Sequence, residues 1–436
     1  VGILVPGSNV DLRNPLGELA LLTESAGARV VDAMIQKRQH LTTNYALGRG
    51  KVGEVKERAE ANEADVIIFD NDLSPRQIKN LEIALDMKVI DRSELILDIF
   101  ASRAKTREAQ LQVELAQLQY TAPRIRGMWT HLERLAGAGG GTAAGSVGGV
   151  GTRGPGERQI EIDRRIVRER ISLLRREIAE VDKRKQQEVR SRGDEYTVSL
   201  VGYTNSGKST LMKSLTGVDV YTADLLFATL DTKTVKWELR EGRYALLSDT
   251  VGFVRDLPHH LVASFRATLE EAIHAHLLLH VVDGSSPRAV QEIEAVNEVL
   301  ENLGCKDTPQ LLIVNKCDLG VHAELEAWLA ARQPSHVRIS ALQHQGLEAL
   351  TDTVLGTIHG GAMALTVAVP HAMGKVLAEF DRWAEVLARR YSETAVELDI
   401  RINRKQFEQL RGRYPGFTVL AGDTTPPDDH DLKGVV

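Results

Sequence analysis

Two glycines, a lysine and a serine carry the first chemistry legible in this chain. Gly202, Gly207, Lys208 and Ser209 fall within Thr197–Thr210, TVSLVGYTNSGKST, an apolar run followed by a glycine turn and the start of a helix. Glycines at these places let the backbone curl so that successive N–H groups point inward. The positive end of the following helix adds its dipole, completing a cradle for an anion. A lysine there neutralises outer phosphates as a point charge, and a serine hydroxyl suits Mg²⁺, which takes hard oxygen ligands. Gly202, Tyr203, Thr204, Asn205, Ser206, Gly207, Lys208, Ser209 and Thr210 are therefore read as a phosphate-binding segment. A glycine turn with a surface lysine is the plainer alternative, so the companions downstream matter.

Those companions come in order, each after an apolar strand. Tyr244–Ser248 runs into Asp249, Thr250, Val251 and Gly252. An aspartate at a strand's end can hold Mg²⁺ through water, and the Gly252 amide can sense a γ-phosphate. Leu311–Val314 leads into Asn315, Lys316, Cys317 and Asp318. The Asp318 carboxylate can pair with the N1–H and exocyclic amine of guanine, which adenine does not present together, while Asn315 and Lys316 brace the loop. Ile339, Ser340 and Ala341 follow, with backbone able to meet the guanine oxygen. Between Leu211 and Lys236 we assign Phe227, Ala228, Thr229, Leu230 and Asp231 to the first switch, with Thr229 closing on Mg²⁺ and the γ-phosphate and Thr232 or Thr234 as alternatives. The expected ligands are thus GTP or GDP and Mg²⁺. Lys208, Thr229 and Gly252 are the expected catalytic groups, and Ser209, Thr229 and Asp249 the expected metal ligands.

Phe253 stands where many related switches place the glutamine that orients the attacking water, and phenylalanine cannot do that. Turnover should be slow until a partner positions the water or supplies charge. Asn205 occupies a position that helps bind potassium in some GTPases lacking the glutamine, which makes K⁺ a candidate stimulating ion. His259, His260, His274, His276 and His280 are read as structural or surface groups rather than metal ligands.

The elements that position these residues follow from hydrophobic pattern. Residues 1–98 alternate apolar runs (Gly2–Val5, Ala28–Ile35, Val66–Phe69, Lys88–Ile90) with amphipathic stretches (Leu16–Ala26, Val52–Ala61, Pro75–Leu85). This predicts a small α/β domain with a largely parallel sheet. Its Gly48-Arg49-Gly50-Lys51 resembles a fragment of a second phosphate loop, without the first glycine at the right distance or the hydroxyl residue after lysine. Residues 99–193 read as a helical arm. One helix is expected over Glu94–Gln119 and another over Gln159–Val189, where Val167, Ile171, Leu174, Ile178 and Val181 recur as a seam facing Ala104, Leu111, Leu115 and Leu118. Such a hairpin reaches out about 40 Å or more. In its tip, 137–156, ten of twenty residues are glycine, too few apolar groups to order a packed structure, edged by Arg124, Arg126, Arg153 and Arg158. A mobile tip of this kind suits RNA, where backbone can approach phosphate closely. Residues 194–358 form the nucleotide domain. Residues 362–436 predict a compact α+β appendage: strand Leu365–Val369, helix His371–Tyr391, strand Ala395–Ile402 and helix Arg404–Leu410.

Composition bounds the setting. The 436 residues suffice for two to four domains, and 43% hydrophobic content suits globular protein. No apolar run approaches the roughly 20 residues of a membrane-crossing helix. Cys305 and Cys317 lack ligand-pair spacing, which points to a reducing, cytoplasmic setting without disulfides. Net charge is −6, yet residues 101–193 hold 19 Lys/Arg against 11 Asp/Glu, an excess of eight that leaves −14 elsewhere. One basic element on acidic domains is the footprint of a nucleic-acid contact, although a solvated helix face gives the same count.

Taken together these residues resemble the HflX family of translational GTPases. The resemblance rests on Asp72-Leu73-Ser74-Pro75 and Val89-Ile90-Asp91-Arg92, on Leu111–Leu118 (LQVELAQL) of the arm, on Gly151–Glu157 (GTRGPGE) closing the tip, and on Asp249–Phe253 (DTVGF). Arg158 replaces a threonine usual in that family, and Ile162 precedes Asp163-Arg164-Arg165. The family implies a multidomain α/β fold: an N-terminal α/β domain, a long antiparallel helical hairpin with a glycine-rich tip, a Ras-like P-loop GTPase domain and a small α+β C-terminal domain. It implies a cytoplasmic, monomeric GTPase that binds the large ribosomal subunit and its rRNA, directs the arm toward the peptidyl-transferase region and splits stalled or idle ribosomes. It further implies stimulation by that subunit, and in some members use of ATP. Two rival expectations stand beside it: a GTP-gated assembly or RNA-chaperone scaffold, and ATP-dependent RNA remodelling by the N-terminal part.

Overall fold

The computed structural model describes residues 1–7, 13–124, 155–191, 195–218, 226–227, 233–239, 243–255, 271–306, 308–359 and 362–422. It divides into two compact units, Val1–Lys236 with Leu246–His344, and Trp237–Ala245 with Gln345–Val436.

The N-terminal region runs β1 (Gly2–Leu4), α1 (Gly17–Ser25), β2 (Ile35–Lys37), α2 (Arg49–Ala61), β3 (Val66–Phe69), α3 (Pro75–Leu85) and β4 (Lys88–Asp91). Its helices were legible in the sequence, and α3 has the expected bounds because Ser74 and Gln77 form a capping box with Pro75 in the first turn. The strands form two parallel pairs, β1 with β2 and β3 with β4, and the pairs are joined where Val1 N donates to the Ile68 carbonyl at 2.7 Å and the Val1 carbonyl accepts from the Asp70 N–H at 2.9 Å. A side chain continues that junction: Asn71 Oδ1 accepts from the Ile3 N–H at 2.8 Å and its Nδ2 donates to the Ile3 carbonyl at 3.0 Å, in place of the backbone bonds of a longer strand. Ala28–Ile35 is strand only at its end, and Val30 and Val31 are exposed.

The helix expected over Glu94–Gln119 is two, α4 (Arg92–Arg103) and α5 (Arg107–Thr121). Ala104 is extended, and the Thr106 hydroxyl accepts from the Ala109 N–H at 3.2 Å, capping a fresh helix. Ala104 consequently packs against the large core beneath α4 rather than in the arm seam. The second arm helix, α6, spans Pro155–Ser191, 37 residues and about 55 Å at 1.5 Å per residue. Leu111, Leu115 and Leu174 are buried in the seam, with Leu118, Ile171 and Ile178 against them. Arg170 clamps Glu114 through two bonds of 2.6 and 2.7 Å. The tip residues 137–154, with Arg126, lie outside the described residues, whereas Pro155 and Gly156 already belong to α6. Arg124 is spoken for: it stacks on the Tyr120 ring and donates to the carbonyls of Tyr120 at 2.7 Å and Leu73 at 3.0 Å.

The nucleotide region contains β5 (Thr197–Gly202), α7 (Lys208–Thr216), β6 (Lys233–Glu238), β7 (Tyr244–Asp249), β8 (Leu277–Asp283), α8 (Ala289–Asn302), β9 (Gln310–Asn315), α9 (Ala323–Arg332) and β10 (His336–Arg338). The sheet order is β10-β9-β8-β5-β7-β6, and β10, β9, β8, β5 and β7 pair in parallel. The central strands β5 and β8 are nearly continuous buried apolar runs, as strands covered on both faces must be.

After α10 (Leu347–His359) come β11 (Ala362–Pro370), α11 (Gly374–Trp383), β12 (Glu385–Tyr391), β13 (Ala395–Asn403), α12 (Arg404–Arg413) and β14 (Thr418–Ala421). The expected helix over His371–Tyr391 therefore ends at Trp383, and its second half is a strand. Pairing decides it: β12 lies antiparallel to β13, with Arg390 bound to Asp399 at 2.8 Å and to Glu397 at 3.4 Å across the strands. The four strands, ordered β12-β13-β11-β14, and two helices form a β-α-β-β-α-β split sheet over a core that includes Phe380, Leu398 and Phe407.

Candidate nucleotide site

β5 ends at Gly202 and α7 begins at Lys208, so the turn between them sits at the carboxyl edge of the parallel sheet, where open α/β sheets bind ligands. Two of its glycines are obligatory. Gly202 has φ +150° and a side chain there would lie 2.2 Å from the Val281 carbonyl oxygen. Gly207 has φ +95° and would meet Asn315 Nδ2 at 2.3 Å. Asn205 is exposed at the crown with φ +61°.

Lys208 is buried and donates to the carbonyls of Gly202 at 3.0 Å and Tyr203 at 2.8 Å. Burial pushes its ammonium down to about 8, opposed by the charge of Asp249. The hydroxyls of Thr204 and Ser206 are buried with no protein partner, which leaves two polar atoms of the loop to be satisfied. Ser209 Oγ donates to Asp249 Oδ2 at 2.6 Å, so two hard oxygen donors of the kind Mg²⁺ takes stand side by side at the end of the loop. Those residues fit an anion and a divalent cation. Thr210, on α7, is half-buried.

Gly252 lies against the loop. A methyl there would be 2.7 Å from Thr204 Cγ2 and 3.1 Å from Lys208 Nζ, so a side chain would displace one of them. The Phe253 N–H donates to the Gly202 carbonyl at 3.1 Å, and its carbonyl accepts from the Thr204 N–H at 2.7 Å. The Phe253 ring is buried, as are Thr250, whose hydroxyl donates to the Leu200 carbonyl at 2.6 Å, and Val251.

At the base end, Asn315 ties three loops together. Its Nδ2 donates to the Ser206 carbonyl at 2.9 Å and its Oδ1 accepts from the Ala341 N–H at 3.0 Å. Lys316, with φ +61°, pairs with Asp283 at 2.7 Å. Asp318 stands exposed in a single turn of 3₁₀ helix, Cys317–Leu319. Ser340 Oγ accepts from the Gln343 N–H at 3.1 Å.

The first switch is less gathered. Phe227 is buried with φ +58°, its ring edge-on to Phe100 at 4.6 Å. Ala228, Thr229, Leu230, Asp231 and Thr232 lie outside the described residues. Thr234, one alternative threonine, is in β6 and donates to Glu271 Oε2 at 2.6 Å. The described histidines serve the scaffold: His276 Nδ1 accepts from the Thr197 N–H at 3.1 Å, and burial lowers His280 to about 3, keeping it neutral. No metal-holding group of three or more His, Cys, Asp or Glu occurs among the described residues.

Sequence reasoning placed Tyr203 in the phosphate loop and Arg92 in a family motif, but missed that the Tyr203 side chain turns to Glu18 and that Arg92 and Arg255 share that carboxylate. The signal was present: Asp91 ends β4 and Arg92 directly follows it, a place where charge is buried only with partners.

A parallel sheet with a phosphate loop at its edge, an Asp-x-x-Gly segment beside that loop and an Asn-Lys-x-Asp loop beyond define a P-loop GTPase. The comparisons narrow the class. Residues 13–101 match a family model described as GTP-binding GTPase N-terminal, 103–192 its middle region, and 197–316 a model described as 50S ribosome-binding GTPase. The chain is 39% identical to the GTPase HflX of Lacrimispora saccharolytica over 94% of this chain and 95% of that one. It is 42% identical to the GTPase HflX of Escherichia coli K12 over 92% and 93%. Among solved structures, a GTP-binding protein from Sulfolobus solfataricus in complex with GDP is 24% identical, covers 82% of this chain and 97% of its own, and superposes with a TM-score of 0.42. The chain belongs to the HflX family of GTPases, and it is a guanine-nucleotide-binding, GTP-hydrolysing enzyme.

Proposed function

We propose that this GTPase acts on ribosomes: it binds the large subunit, lodges its arm and tip against rRNA and separates stalled or idle ribosomes into subunits. The observation that carries the reading is the joining, in one chain of this family, of a guanine-nucleotide site to a 37-residue arm helix with basic flanks. In this reading residues 1–98, 99–193, 194–358 and 362–436 are the functional domains, and the cytoplasm is where a monomer works. No helix among the described residues is long and apolar enough to cross a membrane.

In the site, the loop amides and Lys208 hold the phosphates, with Thr204 and Ser206 completing the cradle. Ser209, Thr229 and Asp249 would hold Mg²⁺, which supplies charge neutralisation between the phosphates when bound. Lys208 stabilises charge developing on the outer phosphate, and Gly252 admits its backbone N–H close to that group. Asp318, braced through Lys316 and Asn315, reads guanine together with Ser340 and Ala341. With Phe253 buried, the attacking water must be positioned by another group, which fits a timer gated by the ribosome. Asn205 is free at the crown to take part in a K⁺ site, and equal hydrolysis rates in sodium and potassium buffers would remove that role.

Sedimentation tests the whole reading. Intact ribosomes mixed with the chain and a non-hydrolysable GTP analogue should resolve into subunits, and GDP should leave them joined. An unchanged ribosome peak in both cases favours a GTP-gated scaffold instead.

A further inference from the structure

The phosphate loop and the segment after Gly252 are both fastened to the N-terminal region by one buried cluster of charges. Glu18 on α1, Asp70 after β3 and Arg92 at the start of α4 meet Tyr203 of the loop and Arg255. Arg92 pairs with Glu18 at 3.0 Å and Asp70 at 2.8 Å, and donates to the Arg255 carbonyl at 3.3 Å. Arg255 pairs with Asp70 at 3.0 Å and Glu18 at 3.6 Å. The Tyr203 hydroxyl donates to Glu18 and accepts from the Arg255 N–H at 2.7 Å. Side-chain exposure is 3% for Arg92, 5% for Glu18, 7% for Asp70 and 13% for Arg255, so two cations and two anions balance out of water.

Such a cluster cannot yield piecemeal, because a shift of one member leaves a buried charge without its partner. Arg255 lies only three residues beyond Gly252, and Tyr203 directly follows Gly202, so movement of either segment onto an outer phosphate must be accommodated by this cluster. We propose that Glu18 and Asp70 are positioning residues for the nucleotide site, holding the Gly252–Arg255 segment and the phosphate loop in the arrangement seen here, so that the γ-phosphate and the N-terminal region compete for that segment. The inference rests on the GTPase site above and adds to it a second set of residues, supplied by the N-terminal region.

The test uses the full chain and compares affinities for GDP and a non-hydrolysable GTP analogue. Tyr203→Phe keeps the ring and removes the hydroxyl, Glu18→Gln removes the charge, and the double variant closes the cycle. Loosening the cluster should raise the ratio of analogue affinity to GDP affinity by about fivefold or more, the usual size of coupling between sites, and the double variant should fall short of the product of the singles. A ratio that is unchanged or lower in a folded Tyr203→Phe variant overturns the proposal, and so do effects that simply multiply. Thermal melting of each variant reports folding separately. Failure of the wild-type chain to bind either nucleotide would strike the site assignment itself and is read from the same titration.

Discussion

Gly202–Ser209 and Gly48–Lys51 each set two glycines before a lysine, and of these two stretches only the first makes a cradle. Gly202–Ser209 leaves a buried strand through glycines at φ +150° and +95°, and its lysine is buried among carbonyls. In Gly48–Lys51, Gly48 is extended with φ −71°, Gly50 and Gly53 lie inside α2 with open space where a side chain would be, and Lys51 pairs with Glu54 at 2.8 Å. Both carry a second glycine directly before the lysine. What differs is whether the backbone must turn left-handed against a neighbouring strand, which frees its N–H groups, or may simply coil into helix, which uses them.

The sharpest way to break that contrast is Lys208→Ala. Steady-state phosphate release should fall by about two to three orders of magnitude, the size of losing a buried electrostatic group in a site, whereas Lys51→Ala should leave it within about twofold, since exposed pairs contribute little. Next come the glycines. Gly202→Ala should cost about 1–3 kcal/mol or more in chemical denaturation, combining backbone strain with the clash at Val281. Gly53→Ala should stabilise by about 0.5–1 kcal/mol, the ordinary gain within a helix. Asp318→Ala should weaken GDP binding by about 1.5–3 kcal/mol, the loss of charge-assisted hydrogen bonds, read by calorimetry.

The smallest effect is on pH. Burial holds the Lys208 ammonium near 8 without nucleotide, and phosphate beside it must raise that value, so binding takes up a proton above about pH 8. GDP affinity should therefore be flat below pH 8 and decline above it, and Lys208→Ala should abolish the decline.

Much of this was legible in the sequence where a local rule decides. Ser74, Pro75 and Gln77 mark the start of α3, and Gly202 and Gly207 mark the bounds of the phosphate loop, because capping and left-handed backbone are written in adjacent residues. The arm seam was legible through Leu111, Leu115, Ile171 and Leu174, whose period survives any detail of the tip. The errors lie where a distant partner decides. Glu385–Tyr391 is a strand because β13 lies beside it, and Thr106 restarts a helix that periodicity alone would continue. Tyr203 was placed in the right loop, but its hydroxyl belongs to a cluster assembled from residues as far apart as 18 and 255, which no window of sequence contains.

Asn315 has one more implication. By bonding the Ser206 carbonyl with one side-chain atom and the Ala341 amide with the other, it fixes the spacing between the two loops that the proposed function gives to the phosphates and to the base. The cleft is a gauge of fixed span. A molecule carrying both groups at that span gains the effective concentration of a tethered second contact, while guanosine or pyrophosphate alone meets only half of the gauge. On the proposed reading, discrimination by length as well as by base follows from a single amide.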